Sequence, residues 1–293
     1  MIVLDGGIGR HLEKMGAPFG QPEWSALSLI QEPDFVLRAH KDFIDSGADV
    51  ITTNSYAIVP FHIGKDRFEK EGKDLLIRAG NIAKEAVKLY KREIKIAASI
   101  PPVLGSYKPD VFNSEKAIPI LEIFKINLIQ YCDLILAETL SSIDEIKTIQ
   151  RVFGDCKIPF WISLTIEDEY YNIPKLRSGE EIVTALRKID FNKISSVLFN
   201  CSQPEVMAKA IKVAKNLVPE NTSLGVYANA FQPIKIGQRD ANSQIRNTRQ
   251  ELTPEKYFDF VKEWNELEVD IIGGCCGIGP EHIKKICELK KNR

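Results

Sequence analysis

The residues of this chain best suited to chemistry are its cysteines. There are six, at positions 132, 156, 201, 275, 276 and 287. Cys132, Cys156 and Cys287 stand in or beside apolar stretches, whereas Cys201, Cys275 and Cys276 directly follow β-like apolar runs. Six in 293 residues are too sparse for a disulfide scaffold. In a reducing compartment they are expected as thiols, metal ligands or core filler. Three protein ligands with one open position is the arrangement of a catalytic zinc site, and thiolate sulfur suits Zn²⁺. Adjacent Cys275 and Cys276 cannot both point inward from a regular strand, because successive side chains alternate faces. Gly273, Gly274 and Gly277 answer that objection by allowing an irregular turn that aims both sulfurs at one ion. Two simpler readings stand beside this one: cysteine as a small buried hydrophobe, and a vicinal disulfide, which suits a reducing compartment poorly.

Something must bring residues 201 and 275–276 together, and the apolar pattern supplies it. Short, β-branched runs recur along the chain: IVL at 2–4, DVITT at 49–53, IKIAAS at 94–99, DLILA at 133–137, IPFWISL at 158–164, SSVLF at 195–199, SLGVYA at 223–228 and VDIIGG at 269–274. Helical stretches lie between them. Capping boxes are expected at Ser142–Glu145, Ser178–Glu181 and Ser202–Glu205, and Thr253-Pro254 places proline at a first helical position. Phe35, Ala39 and Phe43 share a helical stripe that ends at Gly47. Eight strand-helix alternations with long crossovers predict an α/β protein, a single (β/α)8 TIM barrel over 1–293, with a doubly wound open sheet as the alternative. The longer connections at 54–93, 100–117 and 229–252 are candidate functional loops.

Active sites of such barrels form at the C-terminal ends of the strands. The residues there are polar or small: Asp5-Gly6-Gly7, Thr53-Asn54, Ser99 with Pro101-Pro102, Glu138-Thr139, Thr165, Asn200-Cys201, Asn229, and Gly273 to Gly277. Apolar packing gives no reason for that selection. The composition narrows the partners. Lys and Arg total 39 against 40 Asp and Glu, so the basic excess that phosphate-backbone binding needs is missing and nucleic acid is not expected. No run of about 18 apolar residues suggests a membrane span, and Ile2 to Leu4 is too short for a signal-peptide core, so a cytoplasmic protein is expected.

With these residues in place, the sequence resembles the homocysteine S-methyltransferase family. IIGGCCGIGPEHI at 271–283 is similar to the family's Gly-Gly-Cys-Cys-Gly zinc motif, and FNCS at 199–202 to its Asn-Cys element. LDGG at 4–7, TTNSY at 52–56 and AETL at 137–140 follow the family in order. The resemblance implies zinc held by Cys201, Cys275 and Cys276, with the thiol of homocysteine as fourth ligand. A coordinated thiol is deprotonated, so no separate base is needed to make the nucleophile. The implied reaction is transfer of a methyl group from a cationic donor, sulfonium-like or betaine-like, to that sulfur, giving methionine. Glu138 matches the family residue that binds the substrate ammonium, and a carboxylate there makes a charge-assisted hydrogen bond. Asp5, Gly6 and Gly7 resemble the element where backbone approaches substrate, although a tight turn after a strand would look the same. Thr53 and Asn229 are further substrate-contact candidates. The partners implied are small molecules, with no membrane and no particular oligomeric state.

The donor side departs from the family pattern. SIPPVLGSYKPDVF at 99–112 stands where a Gly-Pro-Tyr-Gly type segment is usual, and YANAFQPI at 227–234 where Tyr-Pro-Asn-Ser-Gly is. The first motif continues as Ile8-Gly9-Arg10; Arg10 reads as a solvated surface residue, or as favouring an anionic partner. Two other functions stay open. One takes GGCCGIGP as a phosphate cradle opening a helix; the other is a zinc- and thiol-binding barrel without transfer. His11, His40, His62 and His282 show no ligand spacing, and Trp24, Trp161 and Trp264 read as packing, with Trp24 placed where a loop could cover a pocket.

Overall fold

The computed structural model describes residues 1–169, 172–234 and 246–291. All eight apolar runs form strands: β1 (Ile2–Val3), β2 (Val50–Thr52), β3 (Lys95–Ile100), β4 (Leu134–Leu140), β5 (Phe160–Leu164), β6 (Ser196–Asn200), β7 (Ser223–Tyr227) and β8 (Ile271–Ile272). They make one parallel sheet in the order β1-β8-β7-β6-β5-β4-β3-β2. A parallel bridge between Leu4 and Val50, with the Asp5 amide donating to the Val50 carbonyl at 3.0 Å, draws the two edges together into a barrel. The open-sheet alternative is thereby excluded.

Parallel strands covered by helices are apolar on both faces, which is why these runs read as continuous. Ile135, Ala137, Ile162, Val197, Phe199 and Val226 pack outward, in one cluster with helix residues such as Leu121, Phe124 and Ile211. The alternate residues Leu134, Leu136, Trp161 and Leu198 form a separate cluster with Leu4, Val50, Ala97 and Ile271 inside the barrel. One step further along the strands, on this same inner face, stand Ser99, Glu138, Ser163, Asn200 and Tyr227. Thus the apolar plug ends in a polar layer at the C-terminal ends of the strands.

The helix starts are partly as expected. Ser142 caps the helix Ile143–Phe153 by accepting from the Glu145 amide, and Thr253 caps Pro254–Glu266 through the Lys256 amide. Ser178 and Ser202 do not cap. The helix after Ser178 begins only at Ile182, with Glu181 as its flanking residue, and Ser178 instead donates to Glu180 at 2.7 Å. Ser202 bonds both the amide and the carbonyl of Ile166, which ties the end of β6 to the end of β5. The connection 54–93 is largely the helix Lys65–Lys88. Phe35, Ala39 and Phe43 lie on the helix Pro33–Asp45, and the chain leaves it through Gly47 at φ +103°. No helix among the described residues is long and apolar enough to cross a membrane.

Candidate metal and substrate site

Cys201 follows β6 directly, and its backbone is in the left-handed region at φ +51°. Its carbonyl accepts from Arg177 Nη2 and Thr165 Oγ1, both at 3.4 Å. Arg177 is fully buried, paired with Asp168 at 3.0 Å and stacked 5.2 Å from the Tyr107 ring centre. Asp168 in turn accepts from the amides of Gln203 and Ile234, so one ion pair joins the loops after β5, β6 and β7 around this cysteine.

After β8 the chain turns as the glycines allow, with Gly277 at φ +84°. The turn is pinned by backbone bonds: Gly274 amide to Asp5 carbonyl, Cys275 amide to Ala228 carbonyl, and Ala230 amide to Cys276 carbonyl, at 3.0, 2.9 and 2.8 Å. The result brings all three sulfurs together, mutually within 4.8 Å. Cys201 and Cys275 are joined as a disulfide with Cα atoms 5.7 Å apart, and Cys276 Sγ is 3.9 Å from Cys201 Sγ. That linkage departs from the expectation of three thiols. Its physical reason is the convergence itself, since sulfurs aimed at one point are also within reach of each other. Once reduced, three cysteines on one point are a chemically sound donor set for a soft divalent ion. Burial pushes the Cys276 thiol up to about 11, while the Arg10 charge draws it down.

Glu138 stands beside this cluster in the wall of one cavity that also exposes Cys201, Cys275 and Cys276. Its two carboxylate oxygens accept from Ser99 Oγ at 2.5 Å and Tyr227 Oη at 3.4 Å. Burial outweighs those bonds and raises it to about 7. Asp5 lines the same cavity, with both oxygens turned to Thr52, including the Thr52 amide at 2.7 Å. Burial lifts its pKa well above the usual carboxylate range, and the nearby Glu138 charge adds to this. The pair forms an acidic corner that is starved of counter-charge.

The other expected residues divide. Gly6 and Gly7 border the cavity, but their lack of a side chain answers a closer neighbour. A Cβ on Gly7 would lie 2.5 Å from the Cys275 carbonyl oxygen, and one on Gly6 would strike the Ile278 carbonyl. Thr53 also borders the cavity, with its hydroxyl bonded to Ser55 and to the Ser99 amide. Asn229 is not among the lining residues. Its Oδ1 accepts from Gln203 and from the Phe231 amide, so it shapes the loop after β7.

Several lining residues carried no signal at strand ends. Arg10 is no solvated surface residue: its side chain is only 13% exposed and forms part of the cavity wall. His62, Trp24, Tyr56, Tyr107, Phe231 and Arg246 line it too. Trp24 and His62 come from the segments before and after β2 and lie edge to face at 6.4 Å, as a covering loop would require.

Comparison with known proteins follows the same lines. The family model described as Homocysteine S-methyltransferase matches residues 2–289. The chain is 28% identical to Homocysteine S-methyltransferase 1 of Brassica oleracea var. italica, covering 99% of this chain and 94% of the relative. It is 27% identical to the Selenocysteine methyltransferase of Astragalus bisulcatus, covering 98% and 91%. The metallated form of the homocysteine methyltransferase MmuM from Escherichia coli shares the fold, with a TM-score of 0.79 at 21% identity over 99% of this chain and 96% of that one. With its barrel complete and the match running nearly end to end, the chain belongs to the homocysteine S-methyltransferase family.

Proposed function

We propose that this chain transfers a methyl group from a cationic donor to the thiolate of homocysteine, giving methionine, with zinc held by Cys201, Cys275 and Cys276. The observation that supports it is the meeting of three cysteine sulfurs and a buried acidic corner in one cavity. When bound, zinc would hold the homocysteine sulfur as a thiolate at neutral pH.

The protein's own residues do the rest. Glu138, with Asp5 in the same cavity wall, receives the ammonium of homocysteine, and Ser99 and Tyr227 hold the carboxylate that makes the bond. Thr53 and the backbone at Gly6 and Gly7 close that side. Trp24 and Tyr56 line the space left for the donor, where a sulfonium or quaternary ammonium gains cation–π attraction, while the Tyr107 and Phe231 rings already carry guanidinium groups. Excluding water and aligning sulfur, methyl and leaving group supplies much of the acceleration.

The phosphate-cradle alternative loses most of its donors. The amides of Gly273, Gly274, Cys275, Ile278 and Gly279 are all spent on Val226, Asp5, Ala228, Cys275 and His282. The test is to incubate reduced, zinc-loaded protein with homocysteine and, separately, S-methylmethionine, betaine or S-adenosylmethionine, and to assay methionine. Methionine from at least one donor is expected. A folded, zinc-replete protein that forms none would instead be the non-catalytic zinc- and thiol-binding barrel.

A further inference from the structure

A cavity meant for a cationic donor holds two guanidinium groups in its wall, Arg10 and Arg246. Like charges repel, so their presence beside a sulfonium or ammonium needs a reason. Arg10 sits on the helix Ile8–Lys14, between the rings of Phe231 and Phe19, with its guanidinium carbon 5.4 and 5.8 Å from their centres. Its Nη1 is bonded to Glu13 and its Nη2 to the carbonyl of Arg246. Its Nε is buried without a hydrogen-bond partner among the described residues. The Arg246 guanidinium lies 5.7 Å from the Tyr107 ring centre. Phe231 and Tyr107 belong to the two loops, after β7 and β3, whose sequences depart from the family pattern on the donor side. Both cations therefore stand against the donor's loops, while the acidic corner belongs to Glu138 and Asp5.

We propose that Arg10 and Arg246 seat a carboxylate of the methyl donor, with Arg10 Nε–H as one donor of that bond, so that the enzyme selects zwitterionic donors over bare onium cations. The carboxylate cancels the repulsion, satisfies the buried Nε–H and fixes the donor's far end, which leaves its methyl free to face the sulfur. This rests on the methyl-transfer reading above.

The test compares S-methylmethionine with its methyl ester, which keeps the sulfonium and loses the anion. In the parent, kcat/KM for the acid should exceed that for the ester by about 10- to 100-fold. Arg10→Gln, and independently Arg246→Gln, assayed at saturating zinc because both charges also favour the Cys276 thiolate, should collapse this preference to within a few fold, with the KM for homocysteine staying near that of the parent. A parent that does not discriminate, or variants that keep the full preference or shift the KM for homocysteine instead, would overturn the assignment. Calorimetric titration of both compounds into zinc-loaded protein reads the same preference as affinity. If transfer fails but the acid still binds more tightly than the ester, the reaction is wrong and the carboxylate seat is right; equal binding removes the seat.

Discussion

Asn200 holds Thr139 at two points: its Oδ1 accepts from the Thr139 amide at 3.0 Å, and its Nδ2 donates to the Thr139 hydroxyl at 2.9 Å. Thr139 adopts φ +63°, in a strand whose pairing with β5 shifts register between Ala137 and Leu140. Such backbone is costly for a β-branched residue and persists only where its surroundings fix it. Glu138 precedes Thr139 and Cys201 follows Asn200, so one amide side chain braces the proposed ammonium acceptor and a proposed metal ligand together. Asn200→Ala would strand the buried Thr139 amide and remove one partner of the Ser163 hydroxyl, which also bonds Oδ1 at 2.8 Å. A loss of about 2–3 kcal/mol in urea unfolding is expected, with zinc affinity and the KM for homocysteine worsening in the same variant. Damage to only one of the two would show that the brace is not shared.

Each of Cys201→Ser, Cys275→Ser and Cys276→Ser should lower zinc content from about one per chain and abolish transfer. Because a catalytic site keeps an open position and is not a folding staple, chelation should remove activity well before circular dichroism changes. Equal and full zinc in all three variants would reject the ligand assignment.

Glu138→Gln keeps shape and removes charge, which should lower kcat/KM for homocysteine by about 10- to 100-fold at pH 8. The parent should also show a pH dependence. Glu138 is raised to about 7, so below that it is protonated and a poor partner for an ammonium; efficiency should rise as pH passes through about 7. The Gln variant should lack that rise. A variant that retains the rise, or that loses zinc, would place the ammonium elsewhere.

The eight strands and their functional ends were legible because they are local: an apolar run buried on both faces is continuous in sequence, and a polar residue directly after it stands out. The cysteine convergence was legible for the same reason. What escaped depends on distant partners. Arg10, Tyr107, Phe231 and Arg246 reach the cavity from helices and loops whose sequence has no periodicity to announce where they point. Ser178 followed by Glu181 satisfies a capping pattern, yet Ser178 spends its hydroxyl on Glu180 and the helix starts later. Asn229 occupies a strand end but turns into its own loop.

A stability test lies away from the site. Glu145 is buried, accepts from the Ser141 amide and is raised from 4.5 to about 8 by burial. A carboxyl with a folded pKa above its unfolded value contributes stability that is complete below about 4.5 and is lost as pH rises through about 8. Glu145→Gln removes this dependence. Relative to the parent it should therefore be more stable at pH 9 than at pH 5, by a few kcal/mol at about 1.4 kcal/mol per unit. Parallel urea midpoints at both pH values would contradict the assignment.

Gly7 links the first strand to the cysteines that close the chain. An alanine Cβ there would lie 2.5 Å from the Cys275 carbonyl oxygen and 2.8 Å from the Cys276 Cα. Both are backbone atoms, pinned by hydrogen bonds to Ala228 and Ala230, so neither can yield as a flexible side chain would. Gly7→Ala must therefore push the loop after β8 away from β1, taking the two sulfurs off their common point with Cys201. The expected cost is about 1–3 kcal/mol of stability and at least about tenfold in zinc affinity, the low end of what misorienting a metal's ligands costs. Gly20→Ala supplies the control, because no atom lies within 4 Å of its Cβ position. It should be neutral or slightly stabilising through the unfolded chain. Competition with a chromogenic chelator measures both variants against the parent. Zinc affinity in Gly7→Ala equal to that of Gly20→Ala would mean that the cysteine turn holds its shape without β1, and the glycine would then be only a turn residue.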